Sequence, residues 1–238
     1  MTIVLVHGAW SGAWSWKDAA KNLRARGHEV YAPTLTGLAD RAHIRPEHVS
    51  LDTHVSDIAG LLRFEDLRDV LLVGHSYGGM VITGAADREI ERVAGMIYLD
   101  AFIPDNGQSL WDIAGPESRE AQRRAAQAFD GGHSLPRPNP SPAMSQEFVD
   151  RWGPLFTPQP VRTMSEPFVS VRAQQIWPPR HFFLCTRYKG SVFHRMADKV
   201  RGAPGWGYGE FDALHDVLRT DPDMTAEAID SVARDWGL

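Results

Sequence analysis

Ser76 lies in Gly74-His75-Ser76-Tyr77-Gly78, a G-x-S-x-G spacing that can present a hydroxyl as a nucleophile. The apolar run Asp69-Val70-Leu71-Leu72-Val73 before it reads as a buried strand, and Gly79 to Ala86 after it reads as a closely packed helix. A serine on so sharp a strand-to-helix turn exposes its Oγ. The glycines fit that geometry, because side chains two residues to either side would collide with the neighbouring strand and helix.

A serine hydroxyl is a weak nucleophile at neutral pH and needs an adjacent base. In the α/β-hydrolases, whose nucleophile turn the segment Gly74 to Gly78 resembles, the acid and then the histidine follow the serine along the chain. His215, in Ala213-Leu214-His215-Asp216, is the last histidine and is the expected base. His181 starts a strand and His194 lies in a helical stretch, so both read as structural. The acid has two sites to consider. The strand ending in Cys185-Thr186 is followed by Arg187, Tyr188 and Lys189, with Asp198 several turns on. The preceding strand, Met96-Ile97-Tyr98-Leu99, ends at Asp100, on the edge where Ser76 emerges. A carboxylate at the end of an apolar strand needs a partner, and His215 Nδ1–H would serve. Asp100 is the expected acid, with Asp212, Asp216 and Glu210 as alternatives. Asp216 adjoins His215 too closely to reach its ring well.

The developing oxyanion needs two backbone N–H groups. Tyr77, after the nucleophile, supplies one. Ala9, in the loop His7-Gly8-Ala9-Trp10 after the first strand, supplies the other, and Gly8 permits the close approach. His7 reads as a brace of that loop and His75 as a packing residue. Trp10, Trp14, Phe129, Trp152 and Trp177 are expected to line the substrate pocket.

These residues need a sheet to hold them. Short strands alternate with helices, which argues a parallel sheet with crossover helices. Strands are expected at 2–6, 28–32, 69–73, 93–99, 181–186 and 207–214. Helices are expected at 16–26 with Gly27 as C-cap, at 51–63, and at 224–236 behind Asp221-Pro222. Residues 101–179 break the alternation. Twelve of the chain's 16 prolines lie there, among them Pro136, Pro138, Pro140 and Pro142. Helical pieces at 117–129 and 145–152, with anchors such as Trp111, Phe148, Phe156 and Phe168, argue a cap over the carboxyl edge of the sheet rather than a linker.

At 238 residues, with 43% apolar and 23% charged residues, the chain fits one sizeable domain with an insertion. A net charge of −5 and no basic run argue against nucleic-acid binding. No run approaches a membrane span and the N-terminus lacks signal-peptide features, so a cytoplasmic protein is expected. Cys185 is the one cysteine and reads as a buried core thiol. There is no H-E-x-x-H, no cysteine pair and no phosphate loop, so neither metal nor cofactor is expected.

Val4-Leu5-Val6-His7-Gly8-Ala9-Trp10, Gly12-Ala13-Trp14 and Gly74-His75-Ser76-Tyr77-Gly78-Gly79 resemble the plant methylesterase and hydroxynitrile-lyase branch of the α/β-hydrolases. Pro33 to His43 and Tyr98 to Pro104 are similar to EstC-like bacterial esterases of that branch. The resemblance implies an α/β-hydrolase fold, with a core of 1–100 and 180–238 and a helical cap of 101–179. It implies a serine carboxylesterase for small to medium esters, acting through an acyl-enzyme, with Ser76, His215, Ala9 and Tyr77 in the roles above. Plant members carry an Asp where this chain has Arg187 and Tyr188. The position of Asp100 resembles the acid site of haloalkane dehalogenases and some lactonases. Hydroxynitrile lyases of the branch use a Thr in the first-strand loop and a Lys after the catalytic His, where this chain has Gly8 and Asp216. The expected partner is a small-molecule ester, and a homodimer is left open. The alternatives are a ligand-binding, receptor-like member with little turnover, or a cofactor-free lyase or oxygenase.

Overall fold

The computed structural model describes residues 1–139, 143–173, 176–188 and 190–237; Pro140, Pro142 and Lys189, named above, lie outside the described residues. The first half alternates strand and helix: β1 (Thr2–Val6), α1 (Lys17–Ala25), β2 (Glu29–Tyr31), α2 (Leu51–Phe64), β3 (Val70–His75), α3 (Gly78–Arg88) and β4 (Val93–Leu99). The insertion then runs through α4 (Leu110–Ala114), α5 (Pro116–Asp130), β5 (Ser134–Leu135), α6 (Gln146–Trp152), β6 (Gln159–Pro160) and α7 (Arg162–Ser165). The sheet resumes with β7 (Arg180–Cys185), α8 (Val192–Val200), β8 (Trp206–Phe211), α9 (Val217–Thr220) and α10 (Pro222–Asp235).

The main sheet has the order β2-β1-β3-β4-β7-β8, and every pairing in it is parallel. Its strands alternate side chains between two faces, so each strand feeds two cores. Ile3, Leu5, Leu71 and Ile97 pack with Leu23 of α1 and Ile229 of α10. Val4, Leu72, Met96 and Tyr98 pack the other way, with Ile58 of α2, Met80 of α3 and Phe193 of α8. Strands buried on both faces explain the unbroken apolar runs in the sequence.

Local chemistry sets the ends of the helices. Ser50 and Thr53 form a reciprocal capping box on α2. Asp221 accepts from the Met224 N–H at the start of α10, behind Pro222. Gly27, at φ +91°, carries the chain out of α1 as expected of a C-cap glycine. The last strand ends at Phe211 rather than Leu214. Phe211 C=O still bonds Thr186 N–H there, and the chain beyond turns toward His215.

Candidate active site

The elbow after β3 is built from close backbone contacts. Ser76 sits at φ +55°, its C=O accepting from Phe102 N–H at 3.0 Å. A Cβ on Gly74 would lie 2.7 Å from Gly78 C, and one on Gly78 would lie 2.5 Å from Val6 O. Both are closer than real Cβ atoms come, so any side chain would push the helix or strand away. Among the described residues Ser76 makes no side-chain hydrogen bond, which leaves its Oγ free in the cavity.

Asp100 directly follows β4 at φ +43° and is fully buried. Its Oδ2 accepts from His215 Nδ1–H at 2.6 Å, and its Oδ1 accepts from Cys185 N–H at 3.0 Å. With the proton on Nδ1, His215 Nε2 is left as an acceptor. Of the alternative carboxylates, Asp216 pairs with Arg219 and Glu210 with Arg201. Burial pushes the Cys185 thiol up, in keeping with an inert core residue.

His215 is fixed on several sides. Its C=O accepts from His75 Nε2–H at 2.9 Å, and the two rings lie 4.5 Å apart. Phe193 stacks on the imidazole at 4.7 Å and 9°. Burial, with His215 beside it, holds His75 well below the usual histidine range. His75 is therefore a neutral tether of the His215 loop as well as a packing residue.

The loop after β1 presses against the elbow, since a Cβ on Gly8 would come 3.1 Å from Ser76 Cβ. His7 braces it as expected: Nδ1–H donates to Gly8 O at 2.8 Å, and Nε2 accepts from Leu35 N–H at 3.0 Å. Burial lowers His7 to about 4, so it stays neutral. Ala9 and Tyr77 both line the cavity. Among the described residues neither of their N–H groups donates to a protein acceptor. The Tyr77 hydroxyl donates to His54 Nδ1 at 2.8 Å, and His54 Nε2–H donates to Thr36 O at 2.7 Å. Burial keeps that pair neutral, lowering His54 to about 4 and raising the Tyr77 phenol well above its usual range.

Ser76, His215, Ala9 and Tyr77 open on one cavity of about 1160 Å³. Its other walls include Trp10, Phe102, Phe193 and, from the insertion, Leu110, Phe148 and Phe156. Four of the five pocket aromatics expected from sequence lie elsewhere. Trp14 stacks on Trp152 at 5.4 Å and 17°, and meets the cavity residue Phe156 edge-on at 5.3 Å. Phe129 is half exposed, because α5 buries only Ala126 among its residues. Trp177 is half-buried and packs against the main core. Aromatic content indicated buried anchors but not which layer they fill.

Arg219 was not foreseen from the sequence. Its side chain is 4% exposed, ion-paired with Asp216. Its guanidinium lies 5.4 Å from the Trp14 ring, 5.3 Å from Phe148 and 4.9 Å from Phe156. Burial lowers its pKa, while the adjoining Asp216 carboxylate favours the cation. The i,i+3 spacing of Asp216 and Arg219 was its only signal in the sequence. Among the described residues no group of three or more His, Cys, Asp or Glu could hold a metal ion, and no helix is long and apolar enough to cross a membrane.

A model of the alpha/beta hydrolase family matches residues 3–236. A carbendazim hydrolyzing esterase of Nocardioides sp. (strain SG-4G) is 39% identical over 237 residues, covering 95% of this chain and 97% of that protein. Salicylic acid-binding protein 2 of Nicotiana tabacum is 27% identical over 191 residues, covering 80% of this chain and 71% of its own. Among solved structures, an extracellular alpha/beta-hydrolase from a Paenibacillus species superposes with a TM-score of 0.86 at 24% identity, covering 97% of this chain and 98% of that one.

Proposed function

The chain belongs to the alpha/beta hydrolase family, and from that premise we propose a serine carboxylesterase that works through an acyl-enzyme. One observation carries the reading: buried Asp100 holds His215 Nδ1–H at 2.6 Å, and both His215 and Ser76 face one cavity. Ser76 Oγ attacks the ester carbonyl while His215 Nε2 takes its proton. Asp100 fixes the tautomer and stabilises the imidazolium. Ala9 and Tyr77 N–H groups receive the oxyanion of the tetrahedral intermediate. His215 then protonates the departing alcohol, and water, activated by the same base, releases the acid.

In this reading residues 101–179 act as a cap. The aromatic walls supplied by Phe148, Phe156 and Phe193 suit an ester with a flat or apolar portion, and the carbendazim-hydrolysing esterase relative supports ester hydrolysis. The likeness to a salicylic acid-binding protein favours a second reading, a ligand-binding member with little turnover.

Hydrolysis of p-nitrophenyl acetate and butyrate separates the two. Ser76→Ala should abolish turnover, and the distant Asp198→Asn should leave it unchanged. Wild-type turnover no greater than that of Ser76→Ala would overturn the esterase reading in favour of binding.

A further inference from the structure

Trp10, next to the hole residue Ala9, holds a backbone conformation that bulky side chains avoid, at φ +60°. Residues 157–159 of the insertion hold it there from both sides. Trp10 N–H donates to Gln159 Oε1 at 2.6 Å, and Trp10 C=O accepts from Thr157 N–H at 2.9 Å. Thr157 Oγ1 also accepts from Ala39 N–H at 3.0 Å, tying the same stretch to the helical turn Ala39–Arg41.

Gln159 is fully buried and its amide can point only one way. Thr163 O–H donates to Pro160 O at 2.6 Å, so Thr163 Oγ1 can only accept from Gln159 Nε2–H, 2.7 Å away. Gln159 Oε1 is thereby turned toward Trp10. Its backbone is pinned as well, through the pairing of β6 with Leu135 of β5.

We propose that Gln159 is a positioning residue for ester hydrolysis: by gripping Trp10 N–H, it sets the direction of the neighbouring Ala9 N–H. On this view the sheet supplies nucleophile, base and acid, and the insertion completes the oxyanion hole. The inference rests on the serine-esterase reading.

Gln159→Met keeps the side-chain length and removes the grip. With p-nitrophenyl butyrate it should lower kcat by about 10–100-fold and leave KM within about twofold, because a misdirected donor weakens the transition state and not the bound ester. An aryl trifluoromethyl ketone gives a second readout. Ser76 Oγ adds to its carbonyl, the Ser76 proton passes to His215, and the adduct's oxyanion occupies the hole. Its affinity should fall by the same factor as kcat. Gln159→Glu, which burial keeps as the neutral acid, retains a C=O acceptor for Trp10 N–H and donates its O–H to Thr163 Oγ1, so it should restore most of the lost kcat and also covers the case in which Gln159→Met does not fold. Unchanged kcat in Gln159→Met, equal losses in the Met and Glu variants, or a kcat loss with unaltered ketone affinity overturns the assignment alone. A wild type no faster than Ser76→Ala overturns it together with the esterase reading.

Discussion

Among the described residues six non-glycines take positive φ, and three of them, Trp10, Ser76 and Asp100, are site residues. Such strain persists only where surrounding contacts over-determine it, and each of the three is held by hydrogen bonds from a different part of the chain. Asp100→Asn tests the acid without changing the side chain's shape. The amide would favour the wrong His215 tautomer, so kcat should fall by about 10³–10⁴-fold with the melting temperature little changed. Activity within tenfold of wild type would place the acid elsewhere. The residues the structure gathers here were within reach of the sequence because motif spacing and chain order constrain them. Gln159 was not, since it meets Trp10 from 149 positions away and is flanked only by Pro158 and Pro160. His54 was hidden likewise, since it falls inside the expected helix 51–63 with no motif around it.

Glycines at the element level separate geometry from composition. A Cβ on Gly79, at the start of α3, would sit 2.1 Å from Phe102 O, a backbone atom that cannot yield without moving the chain after β4. Gly79→Ala should therefore cost about 3 kcal/mol or more, a fall of roughly 6–12 °C in melting temperature. Gly60, within α2, has nothing within 4 Å of a built Cβ. Gly60→Ala should stabilise by about 0.5–1 kcal/mol through better helix propensity and a less free unfolded chain. Urea midpoints for the pair check both signs, and equal shifts would refute the contact argument. Elements were the most legible level of this sequence. Unbroken apolar runs, for strands buried on both faces, and capped amphipathic helices announce themselves locally. The ends of β1 and β4 match expectation, and those of the other four main-sheet strands differ by one to three residues, because hydrogen bonds to neighbouring strands decide them.

For the whole molecule, pH acts through buried neutral histidines. His7 and His54 have folded values of about 4, depressed by burial from an ordinary 6.5. The unfolded chain therefore binds more protons than the folded one between those values. Their contribution is fully present above pH 6.5 and is lost as pH falls through 4. Each loss is on the order of 3 kcal/mol, and His75 adds in the same direction. Melting temperature should drop steeply between pH 6.5 and 4, and a flat profile there would refute this account. The placement of Asp100 after β4 has a different sort of consequence. The sequence after β7, from Thr186 to Ser191, carries no carboxylate for His215, yet Tyr188 and Ser191 line the cavity. In the proposed mechanism neither Tyr188 nor Ser191 carries a reacting group, so a library varied at these two positions should alter which esters enter while Ser76, His215 and Asp100 are kept.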